Sequence, residues 1–218
     1  YEGVVTQISN DVPRDDILYW VLCQINSMFT RGRPHSDFIV TKSVGDSGGL
    51  QAESFTNEKG IKKAKVGDYT VPLLSSNAEE RKEQLLKKGA ADPKEYYLLS
   101  LPAQVQLAER MKKRGQRVDA GSRLEYVVTD PDRHTAKQYQ KIESADYFAK
   151  HGRILKMDYY HYLKALATPL DQVLNVAYGK DPDWKDDFVL NHYKYLLKNR
   201  VKFDQELRGL FRPTLAFD

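Results

Sequence analysis

The chain has 218 residues, of which 41% are hydrophobic and 29% charged, and 34 Lys and Arg against 30 Asp and Glu give a net charge of +4. This composition is typical of a globular protein, and no apolar run approaches the roughly 18 residues of a membrane span. The single cysteine, Cys23, excludes an internal disulfide and a cysteine-rich zinc site, and it is typical of a reducing intracellular compartment. Neither a signal peptide nor an initiator methionine precedes Tyr1, which indicates a piece of a longer polypeptide.

The clearest predicted helix spans residues 13–31. Pro13 suits its first position, and acidic residues follow in the first turn, where they favour the positive end of the helix dipole. Its apolar residues recur on one face: Ile17, Leu18, Val21, Leu22, Ile25, Met28 and Phe29. Residues 37–42, DFIVTK, then predict a short strand.

Residues 43–76 show little periodicity and are rich in Gly, Lys and Ser, which predicts a surface insertion or a flexible arm. A helix is predicted over residues 77–88. Asn77 can cap its start, Glu79 and Glu80 lie early, and Gly89 follows its end.

A basic helix and a strand are predicted between residues 101 and 128. Pro102 suits the helix start, Val105, Ala108 and Met111 form an apolar stripe, and Gly115 follows the helix. The strand alternates apolar and polar residues after the turn. From residue 104 to 123, six cations stand against two acids, so this window alone carries a net charge of +4, and the rest of the chain balances at 28 against 28. The basic character is therefore local.

The last third of the chain predicts more helices. A turn at 130–133 precedes a short helix over 144–150, and Asp158 can cap a helix in which Pro169 predicts a break or kink. Asp181 and Pro182 predict a further helix to about residue 199, with four side chains facing inward: Phe188, Tyr193, Leu196 and Leu197. Five to seven helices and at least two short strands give an α+β fold, rich in helix.

Local motifs give no convincing enzyme site. Residues 45–49 spell GDSGG, as around the nucleophile of chymotrypsin-like proteases. However, His35 is the sole histidine before Ser47, and two β-barrels do not fit the helical remainder. The five histidines show no metal-ligand spacing. The clustered tyrosines, Tyr159 and Tyr160 among them, fit either a polyanion surface or the edge of an amphipathic core.

Four blocks, in order, carry recognisable motifs: residues 37–42 (DFIVTK), 101–115 (with LAERM and Arg-Gly), 121–128 (GSRLEYVV), and 158–170 (DYY followed by TPL). Together they resemble family-B (alpha-like) DNA polymerases. The first is similar to the strand that leads from palm to thumb, the second and third to the thumb helix and the strand after it, and the fourth to a helix near the end of the polymerase core.

The sequence also departs from the family pattern. Gln104 stands where the family commonly has histidine, and the 58 residues from 43 to 100 are longer than the usual connection. That length is similar to polymerases of large cytoplasmic DNA viruses of the African swine fever virus type. The palm motifs that carry the catalytic aspartates are absent from this chain, as are the exonuclease motifs and a cysteine-rich C-terminal module.

The resemblance implies the end of the palm at residues 1–36, the thumb at 37–200 with an insertion at 43–100, and a C-terminal tail at 201–218. It implies no catalytic or metal-binding residue in the chain; Mg²⁺ would act in the full polymerase, which this piece alone cannot replace. The expected DNA contacts are Lys42, Arg110, Lys112, Lys113, Arg114, Arg123, Tyr159 and Tyr160, which would grip phosphates rather than read bases.

The implied partners are primer–template DNA, the palm and fingers of the same polymerase, and a sliding clamp, with no membrane. Replication would take place in the host cytoplasm (a viral factory) for a virus, or in the nucleus for a cell. The residues leave a second hypothesis open, a stand-alone basic nucleic-acid-binding module such as a processivity or packaging factor.

Overall fold

The computed structural model of the chain describes residues 1–30, 34–129, 141–152, 155–179 and 187–200. Within these ranges it contains eight α-helices and six strands, which confirms the helix-rich α+β prediction. In chain order the elements are α1 Glu2–Ser9, α2 Arg14–Phe29, β1 Val40–Ser43, β2 Glu53–Thr56, β3 Lys62–Val66, β4 Tyr69–Pro72, α3 Ala78–Lys88, α4 Pro93–Ser100, α5 Ala103–Lys113, β5 Arg123–Val128, β6 Ile142–Ser144, α6 Ala145–His151, α7 Tyr159–Tyr178 and α8 Phe188–Lys198.

The chain divides into two compact units. The first unit contains residues 1–38 and 158–218, and the second contains residues 39–157. Among the helices that the structure describes, none combines the length and apolarity that a bilayer crossing demands.

The first unit is helical. The predicted apolar face of α2 is confirmed, because six of its seven residues are buried; Leu22 is half-buried. Asp158 caps α7 as predicted, since its carboxylate accepts the backbone N–H of His161 at 3.0 Å.

Of the predicted break or kink at Pro169, the break is wrong, because α7 runs through the proline to Tyr178. A kink stays a prediction. A proline inside a helix costs about 3 kcal/mol, since it removes one backbone hydrogen bond and crowds the preceding turn. Buried side chains lie on both sides of Pro169, with Leu163 and Ala167 before it and Leu170 and Leu174 after it. This continuous buried stripe holds the two halves in one helix.

Helix α8 begins later than predicted. The expected cap, Asp181 and Pro182, lies outside the described residues, and the helix begins at Phe188. Leu196 is buried as predicted, whereas the inward prediction for Leu197 is wrong because its side chain is exposed. Val189, which the pattern missed, is fully buried.

Helix α7 supplies the cap of α8 through Asp171. The side chain is only 2% exposed, and its two oxygens accept the backbone N–H groups of Val189 at 2.7 Å and Leu190 at 2.9 Å. Burial raises the pKa of Asp171 and the two hydrogen bonds oppose that effect. The first turn of α8 therefore depends on a carboxylate from another helix.

We expect Asp171→Ala to lower the free energy of unfolding by about 1–3 kcal/mol, because one buried and one partly buried N–H donor lose their acceptor. Asp171→Asn keeps an acceptor oxygen and should cost less. Urea denaturation of the three proteins, followed by tryptophan fluorescence, measures the difference. Tryptophan fluorescence reports on this unit because Trp20 lies in α2.

The same variants test the sign of the pKa shift. Because the folded pKa lies above the unfolded value near 3.8, the native state holds more protons in that window, and the stability of the parent relative to Asp171→Asn falls as pH rises through it. A relative stability that rises with pH would contradict the assignment.

The second unit contains two antiparallel three-stranded sheets. In the first, of order β1–β5–β6, β5 is central, with Lys42 opposite Leu124, Ser43 opposite Arg123 and Tyr126 opposite Ser144. This confirms the predicted strand at 123–128. The predicted strand at 37–42 is displaced, since His35–Phe38 form a short 3-10 helix and β1 begins only at Val40.

The second sheet, of order β2–β3–β4, lies within residues 43–76. Of the two predictions for this segment, a flexible arm without secondary structure is therefore wrong, and a surface insertion stays a prediction. Ala64, Val66 and Val71 are buried on one face of the sheet. Because side chains alternate along a strand, Lys63 and Lys65 of β3 lie on the opposite face.

Three helices, α3, α4 and α5, lie between β4 and β5 in the chain. The predicted helix at 77–88 is confirmed, because the Asn77 side chain accepts the N–H groups of Glu79 and Glu80 and Gly89 ends the helix in a left-handed conformation. The next helix, α4, was not predicted. Asp92 caps it and four consecutive residues, 96–99, are buried, so its short sequence shows no one-sided pattern.

Candidate nucleic-acid interface

Helix α5 carries the predicted basic cluster at its last turn. Buried Val105, Leu107 and Ala108 anchor the helix within the unit. The cations at its end therefore project from a fixed base, next to the negative end of the helix dipole, as predicted.

Two of these cations share one buried carboxylate. The side chain of Glu143, on β6, is 7% exposed and forms ion pairs with Arg110 at 3.0 Å and Arg114 at 3.2 Å. Arg110 also donates a hydrogen bond to the backbone carbonyl of Ile142. We call these three side chains, Arg110, Arg114 and Glu143, the arginine clamp; it joins the end of α5 to β6.

An aromatic stack extends the clamp into α6. The guanidinium of Arg114 lies over the Tyr147 ring at 4.3 Å from the ring centroid, and that ring stacks on His151 at 4.0 Å between centroids. Such cation–π contacts contribute about 0.5–2 kcal/mol. Arg110 and Arg114 thus use their side chains to hold protein elements together.

Lys112 and Lys113 lie on the outside of the same turn. Lys112 pairs with Glu109 at 2.9 Å at the surface, and such an exposed pair contributes at most about 1 kcal/mol. Lys113 is exposed, and no ion pair joins it to another residue that the structure describes. Both ammonium groups can therefore reach a phosphate at little cost.

Lys42 and Arg123 lie on adjacent strands but on opposite faces of their sheet, because Lys42 pairs with Leu124, the residue after Arg123. Arg123 borders a cleft of about 510 Å³ that Glu125 and Asp146 also line. With two carboxylates beside one guanidinium, the cleft does not suit a phosphate. The two cations do not form one patch.

The predicted tyrosines lie in the other unit. Tyr160 is buried and its ring meets Phe29 edge-on at 5.0 Å, while the guanidinium of Arg200 lies 5.0 Å from its centroid. Tyr159 is half-buried against Phe29 and Phe38. Of the two readings that the sequence left open, packing describes Tyr160.

The GDSGG segment forms a structural contact within the second unit instead of a hydrolytic site. Ser47 is buried, and its hydroxyl donates to Glu109 of α5 at 2.7 Å. The N–H groups of Gly45 and Asp46 donate to the Tyr69 hydroxyl and the Asp68 carboxylate. A hydroxyl held by a carboxylate, and closed to solvent, has neither the base nor the access that acyl transfer requires.

The described ranges contain no group of three His, Cys, Asp or Glu side chains that could hold a metal ion.

Comparison with known proteins identifies relatives. A family model described as DNA polymerase family B matches residues 52–177. DNA polymerase 120R of Invertebrate iridescent virus 3 is 38% identical over 224 residues, which cover 100% of this chain and 19% of that protein. For DNA polymerase 037L of Invertebrate iridescent virus 6 the identity is 34%, with 94% of this chain and 18% of the relative covered.

The similarity extends to a further virus family. The DNA polymerase of Trichoplusia ni ascovirus 2c is 26% identical over 218 residues, which cover 99% of this chain and 20% of that protein. The chain thus spans about a fifth of the length of the curated relatives it matches. No solved structure matches it.

Proposed function

Because this chain belongs to DNA polymerase family B, we propose that it is the palm end and thumb of a viral replicative polymerase and grips primer–template duplex. The iridovirus and ascovirus relatives support a large DNA virus; the narrower African swine fever virus type stays a prediction. A stand-alone basic module receives no support, since these relatives are polymerases about five times as long.

The observation that carries the proposal is the pair of exposed lysines, Lys112 and Lys113, on a helix end that the arginine clamp immobilises. Positive charge in a fixed position attracts phosphates and releases counterions whatever the base sequence. A polymerase must hold every sequence it copies, so contacts to phosphates without base readout suit it.

The clamp changes the expected set of contacts. We assign the direct grip to Lys112 and Lys113, keep Lys42 and the half-buried Tyr159 as outlying candidates, and give Arg110 and Arg114 the task of positioning the helix end. Arg123 is left out because two carboxylates line its cleft. Tyr160 is left out because its ring is buried.

The rest of the reaction belongs to the full protein in this proposal. Nucleotide addition with Mg²⁺, and the palm and fingers that perform it, would be supplied by the remaining four-fifths of a polymerase of the relatives' size. Replication would take place inside the host cell. A sliding clamp as a partner stays a prediction, and the predicted tail, 201–218, lies outside the described residues.

Charge removal at the helix end tests the grip. For Lys112→Gln with Lys113→Gln we expect the slope of log K against log salt on a blunt DNA duplex to become shallower by about 1.8, because each lost phosphate contact contributes about 0.9. Between 50 and 200 mM salt, the affinity of the double variant should then fall by a factor about ten times smaller than the factor for the parent. Fluorescence anisotropy of a labelled duplex at several salt concentrations measures both.

A matched control exists in α3. Its last turn also ends in two exposed lysines, Lys87 and Lys88, so Lys87→Gln with Lys88→Gln removes the same charge from the same helical position in the same unit. Equal salt slopes in the two double variants would contradict a local grip at α5.

A further inference from the structure

The sheet β2–β3–β4 exposes one face. Pairing places Phe55 opposite Lys63 and Glu53 opposite Lys65, and on the far side Lys63 lies opposite Pro72. Ala64 and Val66, which alternate with these lysines, are buried. The outer face therefore carries an aromatic ring beside a lysine row.

The turn between β2 and β3 is built to hold its shape. The side-chain oxygen of Asn57 accepts the N–H groups of Lys59 at 3.1 Å and Ile61 at 2.8 Å, and two backbone hydrogen bonds close the turn between Asn57, Gly60 and Ile61. This order fixes Lys59 and Ile61 at the tip, beside Lys62.

The charge at this end of the sheet has no internal partner. From residue 57 to 65, four lysines stand against Glu58 alone, and none of the four forms an ion pair with another residue in the part of the chain that the structure describes. Lys59, Lys62 and Lys65 are exposed, and Lys63 is half-buried.

Apolar groups lie among these cations. Phe55 is 39% exposed and Ile61 is 53% exposed. A duplex presents phosphates but keeps its bases stacked inside, so exposed rings add little to its binding. A single strand offers unstacked bases, which stack on aromatic rings while lysines follow the backbone.

We propose that the outer face of β2–β3–β4, with its tip, binds single-stranded DNA. A base stacks on Phe55, and phosphates lie on Lys63 and Lys65 of that face and on Lys62 at the tip, which begins β3 and alternates onto the other face. The choice of DNA rests on the proposed function, whereas the surface itself is separate from the lysines of α5. A copying enzyme works on single-stranded template, so such a strand is available to it.

Two variants of the 218-residue chain separate the contribution of base stacking from that of the phosphate contacts. Binding is measured by anisotropy with labelled oligothymidylate. Phe55→Ala should weaken it about 5- to 150-fold, the range for one lost stacked base, with its salt slope unchanged because no charge is removed. Lys62→Gln with Lys63→Gln and Lys65→Gln should make the slope shallower by about 2, since each contact to a single strand contributes about 0.7.

Matched controls make the result specific. Phe55→Tyr keeps a ring and should bind as the parent does, and the triple variant Lys82→Gln, Lys87→Gln, Lys88→Gln removes equal charge from exposed positions of α3. Unchanged oligothymidylate affinity in Phe55→Ala, or an equal slope change in the α3 triple variant, would overturn the proposal. A failure of the proposed α5 grip would appear in the salt slope on the blunt duplex, whereas a failure of the proposed single-strand site would appear in oligothymidylate binding. The two failures are therefore distinguishable.

Discussion

Replacement of Glu143 by alanine is expected to lower the free energy of unfolding of the second unit by about 3–5 kcal/mol, the usual cost of removing one partner of a buried ion pair. The carboxylate is 7% exposed and faces two arginines. Arg110, at 14% exposed, supplies most of the penalty because it is the more deeply buried guanidinium. Urea denaturation followed by circular dichroism measures the change.

A surface carboxylate gives the control. Glu125→Ala, at an exposed position of the neighbouring strand, should change the same free energy by less than about 0.5 kcal/mol. Glu143→Gln, which keeps an acceptor oxygen but no charge, should lie between the two. Equal effects of the Glu143→Ala and Glu125→Ala variants would show that the arginine clamp does not hold α5 to β6.

Duplex binding by Glu143→Gln separates two roles of the arginines. If Arg110 and Arg114 contacted phosphates directly, loss of the carboxylate would release their charge and steepen the salt slope. We expect no steepening, because the Ile142 carbonyl still holds Arg110 and the Tyr147 ring still holds Arg114.

Elements with local end signals could be predicted from the sequence. The cap Asn77 with Gly89, and the cap Asp158, correctly mark helices because each acts on backbone groups a few residues away. Pro169 predicted a helix break that is absent, because its effect was judged from local sequence alone. The proline does cost free energy in the helix, but burial of the apolar face of α7 outweighs that cost.

The small sheet could have been recognised. Lys63, Ala64, Lys65 and Val66 alternate with a period of two, the pattern of a half-buried strand, but the high lysine content made the segment resemble a loop. Glu143 offered no such signal. It meets Arg110 and Arg114 only because β5 pairs with β6, and pairing between distant segments is not encoded in either segment alone.

The same limit applies to the basic cluster. Its sequence shows six cations in a short window, and that focus correctly pointed to the end of α5. Which cations face solvent depends on partners elsewhere in the chain: a buried carboxylate takes two arginines, while Lys112 and Lys113 remain at the surface. Counting charge could therefore find the region but not its contacts.

Gly67 lies against the GDSGG segment, and its substitution is expected to have the second large effect on stability. This glycine, in the turn between β3 and β4, has φ +56°, and a Cβ there would lie 2.2 Å from the carbonyl oxygen of Asp46 and 2.6 Å from the nitrogen of Gly48. That carbonyl also accepts the N–H of Asp68 at 3.0 Å. Two backbones meet at a distance that leaves no room for a side chain.

We expect Gly67→Ala to lower the free energy of unfolding by about 2–5 kcal/mol, the sum of about 1–2 for a left-handed alanine and about 1–3 for overpacking. Gly60→Ala isolates the first contribution, since Gly60 has φ +74° in the neighbouring turn with no atom within 4 Å of its Cβ; it should cost only about 1–2 kcal/mol. Urea denaturation compares the two variants. Equal losses would mean that the segment around Ser47 does not pack on this turn, and the structural role assigned to GDSGG would then be wrong.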